Sequence, residues 1–195
     1  MTIEVSISSV LGELDSDELL ALARLDMDQN RMDQALIKLK HILNTDKGNS
    51  DALSMGGKVY AQLGLFDKAK NCFKQYLEIN PDSIIDQFQY GMVHFDNGDK
   101  DTALSIWNEL LAKQPTHPPS LFYEGLLLAQ TNQTADARAT LSILLQSAPA
   151  DNLYFGRAKE LLQAMDKGVA IEASGDGGSG AESKSLPKDA YKVIN

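Results

Sequence analysis

Small and apolar residues recur along the chain in a fixed order, and this order repeats every 34 residues. Each copy carries a glycine, a turn residue, an alanine, a large apolar residue and a proline, always with the same spacing. Such a unit predicts two antiparallel helices joined by a short turn, with the proline ending the second helix because it cannot donate a backbone hydrogen bond. The three copies read Gly57, Gly64, Ala69, Phe73 and Pro81; Gly91, Gly98, Ala103, Trp107 and Pro115; and Gly125, Asn132, Ala137, Leu141 and Pro149.

A degenerate copy precedes these three, and one further helical pattern follows them. One helix pair cannot bury its apolar face alone, so stacked copies and a covering helix are expected. We therefore divide the chain into a lead (1–15), four repeats (16–49, 50–83, 84–117 and 118–151), a capping helix (152–166) and a tail (167–195). The first copy has Ala23, Asn30, Ala35 and Leu39 at the equivalent places, with Lys47 where the others have proline.

The repeated unit resembles the tetratricopeptide repeat over about 150 residues, from 16 to 166. The second copy fits best, through Leu53, Gly57, Tyr60, Ala69, Phe73 and Pro81. Asp26 and His94 depart from the pattern, because they stand where the family places tyrosine. The resemblance implies an all-α fold, an α-solenoid in which antiparallel helix pairs form a right-handed superhelix. It also implies a role in binding other proteins.

The resemblance further implies that the first helix of each pair lines a concave groove. The groove of this family that clamps carboxy-terminal peptides needs cations where this chain has Leu20, Phe88 and Met92, so we expect a different ligand. Most of the candidate residues in the later repeats are apolar, and burying one such side chain contributes roughly 1.5–3 kcal/mol. We expect an exposed apolar strip there. The candidate groove residues are Leu20, Arg24, Met27, Lys58, Phe88, Met92, Phe95, Phe122 and Leu126.

Composition argues against several classes of function. The chain has 195 residues and a formal charge of −9, which argues against a general nucleic-acid binder. One cysteine and three scattered histidines give no disulfide framework, metal motif or catalytic triad. We expect no enzyme activity, no cofactor and no metal. With neither a transmembrane segment nor a signal peptide in the pattern, we expect no membrane insertion and a cytoplasmic location.

The tail changes in composition after residue 166. It contains the flexible sequence GDGGSG, either natural or an engineered linker. The segment after it has four apolar residues that could anchor on a surface: Leu186, Tyr191, Val193 and Ile194. One interpretation is a disordered terminus. The other is a tethered peptide that docks in cis or on a neighbouring molecule.

These observations lead to three functional hypotheses. The first is an adaptor or scaffold whose groove binds a short apolar segment of a protein partner, or its own or a fused tail. The second is a secretion-type chaperone that holds an export substrate. The third is a self-assembling scaffold that stacks end to end.

Overall fold

A computed structural model describes residues 11–168 of the chain. This part of the chain contains nine α-helices and no strand. The tail residues Leu186, Tyr191, Val193 and Ile194 lie outside the described residues. The helices are α1 (Ser16–Asp28), α2 (Met32–Thr45), α3 (Ser50–Gln62), α4 (Phe66–Ile79), α5 (Ile84–Asp96), α6 (Lys100–Lys113), α7 (Pro118–Gln130), α8 (Thr134–Ser147) and α9 (Leu153–Asp166).

The turns within the helix pairs lie where the sequence predicts them. The backbone enters the left-handed region at each turn, which glycine and asparagine tolerate better than other residues. The turn residues with positive φ are Asn30 (58°), Gly64 (70°), Gly98 (82°) and Asn132 (61°). The prediction of one turn residue per copy is confirmed, including the degenerate first copy.

Local signals also set the helix ends. Asp15 accepts a hydrogen bond from the backbone N–H of Glu18, and the Glu18 carboxylate accepts one from Asp15, so α1 begins with a capping box. Asn49 and Asn152 cap α3 and α9 through their side-chain oxygens. The second helix of the last three pairs ends two residues before a proline, as expected.

The chain forms two compact units, and the division falls within α5, between Gln89 and Tyr90. In the first unit α1 packs on α2, α2 on α3 and α3 on α4, and α1 also contacts α3. In the second unit α6 packs on α7, α7 on α8 and α8 on α9, and α9 also contacts α7. Helix α9 thus packs on both helices of the last pair.

Large side chains pack directly onto glycines within the pairs. Phe73, Trp107 and Leu141 are fully buried. A Cβ atom added at Gly57 would lie 2.8 Å from the Phe73 ring, and one at Gly125 would lie 2.8 Å from Leu141. The absence of a Cβ atom at these glycines therefore leaves room for the large side chain of the second helix.

Candidate functional site

The predicted groove residues of the first unit differ widely in exposure. Leu20 and Phe88 are buried, with 8% and 5% of their surface exposed. Met27 and Lys58 are half-buried, and Arg24 is exposed. Their role as peptide contacts stays a prediction.

A buried carboxylate lies beside Lys58. Asp86 accepts hydrogen bonds from the hydroxyls of Ser54, at 2.6 Å, and Ser83, at 2.8 Å. The Lys58 Nζ atom lies 3.9 Å from Asp86 Oδ1. Burial raises the pKa of nearby Tyr76, and the Asp86 charge adds to this effect. Lys58, which we predicted to contact a ligand, therefore already lies close to a buried carboxylate.

The predicted apolar residues of the second unit are mostly buried. Met92, Phe122 and Leu126 are 2–4% exposed, and only Phe95 is half-buried. The expectation of an exposed strip is wrong for these three residues, and for Phe88 in the first unit. For Phe122 the reason is visible, because its ring packs against Tyr154 with centroids 5.7 Å apart.

Phe95 and Phe122 are members of an aromatic cluster that sequence reasoning missed in part. The rings of Trp107 and Tyr123 lie 5.9 and 5.6 Å from Phe95, and 5.5 Å from each other. Tyr123 also contacts Phe122, at 5.3 Å, and Tyr154. Burial raises the pKa of both tyrosines, so their hydroxyls stay protonated at neutral pH. The aromatic residues of α7 and α9 are visible in the sequence. The contact between Tyr123 and Tyr154 depends on how the two helices pack, which the spacing within one helix does not show.

Two polar residues at the family's tyrosine position pair with a residue at the end of the turn. Asp26 is buried and bonds to Arg31 and Lys38, each at 2.6 Å. In the third copy His94 Nδ1 donates to Asp99 Oδ2 at 2.9 Å. The hydrogen bond from His94 lowers the pKa of Asp99. Arg31 and Asp99 each lie five positions after the first-helix residue that they contact.

His117 caps helix α7, and this makes stability depend on pH. Its Nδ1 accepts from the backbone N–H of Ser120 at 3.4 Å, which requires a neutral ring. Burial lowers the pKa of His117 from 6.5 to about 4.

We expect the free energy of unfolding to be highest above pH 6.5 and to fall as the pH drops from 6.5 towards 4. In that interval the unfolded chain binds a proton that the folded chain does not. The loss should reach about 2 kcal/mol, because partial exposure of the ring reduces the full effect. Urea unfolding at several pH values measures it. In His117→Asn, which keeps a capping side chain but cannot titrate, this part of the pH dependence should disappear; its persistence would contradict the assignment.

The described residues form no metal site and no membrane-spanning helix. No group of three or more His, Cys, Asp or Glu residues could hold a metal ion in residues 11–168. In the same range no helix is long and apolar enough to span a membrane. Burial raises the pKa of the Cys72 thiol to about 11, so the thiol is protonated at neutral pH.

Solved structures with the same fold come from several bacterial proteins. TTC0263, a thermophilic TPR protein of Thermus thermophilus, superposes with a TM-score of 0.64 at 20% identity, covering 77% of this chain and 83% of its own. PilW, a widely conserved type IV pilus biogenesis factor, gives 0.64 at 25% identity, covering 77% and 71%. YrrB, a TPR protein with an unusual peptide-binding site, gives 0.62 at 18% identity, covering 82% and 88%. A comparison with curated protein sequences gave no significant match.

Sequence models of one repeat family match most of the helical region. Two tetratricopeptide repeat models match residues 26–89 and residues 88–152. Proteins of this family are generally non-enzymatic scaffolds for protein–protein interaction, and the all-α solenoid fold agrees with that assignment. The chain belongs to the tetratricopeptide repeat family.

Proposed function

We propose that the protein is an adaptor that binds a short apolar segment of a partner polypeptide on the first helices of its repeats. The observation that supports this most directly is the half-buried ring of Phe95, which rests on the buried rings of Trp107 and Tyr123. A ring fixed by neighbours loses little side-chain entropy when a ligand contacts it. The exposed carboxylate of Asp96 follows it in the chain and supplies polar contact beside the apolar surface.

The fold accommodates a peptide-binding site in another protein. YrrB has the same fold and carries a peptide-binding site. We infer that Met92, Phe122 and Leu126 support the binding surface from beneath, while Phe95 contacts the ligand directly. Arg24, Met27 and Lys58 stay candidates for contacts in the first unit, together with Leu20 and Phe88.

The tail is the first segment to test as a ligand. It carries three apolar side chains in four residues, at 191, 193 and 194, and Lys188 and Lys192 could meet the acidic body. A flexible linker of this length raises the effective concentration of a tethered peptide to the millimolar range. Whether GDGGSG is natural or engineered stays open, so the tail is either an intramolecular arm or a fused partner segment.

We expect a labelled peptide of residues 183–195 to bind saturably to a chain cut after Ala173, which retains all nine described helices. Phe95→Ala should weaken binding by about ten-fold, as for an anchor residue at an interface. Fluorescence anisotropy titration measures this. Phe155→Ala is the matched control, because Phe155 is also half-buried but lies on α9 beside Lys159. It should leave the affinity unchanged.

Other outcomes would favour the other hypotheses. Absence of binding, or equal affinity in both variants, would contradict the groove proposal. Comparable binding of several dissimilar apolar peptides would favour a chaperone. A particle size that grows with protein concentration in light scattering would favour self-assembly.

A further inference from the structure

A cavity of about 220 Å³ opens on the first unit, and none of the residues predicted for the groove lines it. It lies between α2, α3 and α4, so residues from three helices form its walls. This volume is below the roughly 300–1,000 Å³ of pockets that enclose drug-sized ligands. It therefore suits one side chain better than a whole small molecule. The lining residues are Leu43, Lys47, Leu53, Tyr60, Lys68, Asn71, Cys72 and Gln75.

The inner wall of the cavity is apolar. Leu53 and Cys72 are buried, and Leu43 and Tyr60 are half-buried. The buried thiol is protonated at neutral pH and packs as a small apolar group. An aliphatic or aromatic side chain would be stabilised against these groups.

The rim of the cavity is cationic, although the whole chain is acidic. Lys47 and Lys68 are exposed, and neither has an ion-pair partner among residues 11–168. The Lys68 Nζ atom lies 5.6 Å from the centroid of the Tyr60 ring. None of the eight lining residues is acidic. Lys47, at the end of the first repeat, stands where the three other repeats have proline, so its contribution to the rim has no counterpart in them.

We propose that this cavity binds an acidic segment of a partner polypeptide that carries one apolar or aromatic anchor. The anchor inserts against Leu53 and Tyr60, and flanking carboxylates pair with Lys47 and Lys68. Charge complementarity favours this occupant over a basic or neutral segment. The residues that line the cavity are not those of the proposed groove, so one chain could bind two partner segments at once.

The test uses the full chain labelled with ¹⁵N and a blocked pentapeptide, phenylalanine flanked by two aspartates on each side. We expect saturable amide shifts confined to 43–47, 53, 60 and 68–75. Lys47→Glu and Lys68→Glu should each weaken binding by about five-fold. Each change replaces an attraction to an aspartate of the peptide by a repulsion at an exposed position. Asn71→Trp, which fills the cavity without changing charge, should abolish binding.

Three controls make the result specific. Lys74→Glu, on the same helix as Lys68 but outside the cavity, should bind as the parent chain does. A peptide with lysines in place of the aspartates should not bind, and Phe95→Ala should have no effect. Absence of shifts, or equal weakening in Lys68→Glu and Lys74→Glu, would overturn the proposal. Shifts at these amides that depend on protein concentration without peptide would assign the surface to a second copy and overturn it too.

Discussion

Replacing Gly91 by alanine is expected to lower the free energy of unfolding by about 3 kcal/mol. A Cβ atom at this position would lie 2.8 Å from Cδ1 and Cε2 of Trp107, and closer still to Nε1. The ring is fully buried, so it cannot move aside without disturbing its contacts with Phe95 and Tyr123. Urea unfolding measures the loss. Trp107 is the sole tryptophan, and its fluorescence emission should shift to longer wavelength in the variant.

Two other glycine substitutions separate this effect from helix propensity. Gly56→Ala should be well tolerated, because its nearest neighbour would be Cys72 Sγ at 3.7 Å, an ordinary contact. Gly156→Ala should stabilise by roughly 0.5–1 kcal/mol, because nothing lies within 4 Å and alanine favours the helix. A loss in Gly56→Ala comparable to that in Gly91→Ala would contradict the packing argument.

The places of Gly91 and Trp107 within a helix pair could be predicted because they recur. The same two places hold Gly57 with Phe73 and Gly125 with Leu141, so three independent copies constrain one geometry. Helix type, turn residues and helix ends follow from the same repetition. Each depends on residues within one repeat, whose spacing is visible in the sequence.

Exposure of the groove could not be predicted in the same way. Phe122 is buried because Tyr123 and Tyr154 surround it, and Tyr154 comes from the unpaired helix α9, which has no counterpart in the repeat. The hydrogen bond from Ser54 to Asp86 joins two different repeats, 32 residues apart. Such contacts depend on how neighbouring elements pack, and a single repeat does not encode that.

The first and third copies depart from the family at the tyrosine position. In both copies the residue that replaces tyrosine has a polar partner. Asp26 pairs with Arg31, and His94 pairs with Asp99, five residues later in each case. The acidic residue is the earlier one in the first copy and the later one in the third. In the second copy Tyr60 is retained and the residue five positions later is Leu65. A polar residue at this position is therefore accompanied by a partner at the end of the turn.

Replacing Lys38 by methionine is expected to lower the free energy of unfolding by about 3 kcal/mol at neutral pH. The Asp26 carboxylate is 4% exposed and would keep only Arg31, whose side chain is 47% exposed. Removing one partner of a buried ion pair leaves a charge that burial penalises. Urea unfolding of the variant and the parent chain measures the difference.

The pH dependence of this difference identifies its cause. Burial raises the pKa of Asp26, but hydrogen bonds from Lys38 and Arg31 lower it more, so it lies below 3.8 in the folded chain. Its stabilising contribution is therefore present above pH 3.8 and is lost as the pH falls through the folded pKa. Without Lys38 the pKa of Asp26 should rise, and the two chains should become more similar in stability at acidic pH.

Lys70→Met is the matched control for Lys38→Met. Lys70 lies 3.0 Å from Asp67, but that carboxylate is 95% exposed, so the pair should contribute no more than about 0.5 kcal/mol. Two lysines on second helices, each with a carboxylate within 3.0 Å, should thus differ several-fold in effect because only one carboxylate is buried. Equal losses in the two variants, or a Lys38→Met loss independent of pH, would indicate that the lysine side chain acts through packing instead of charge.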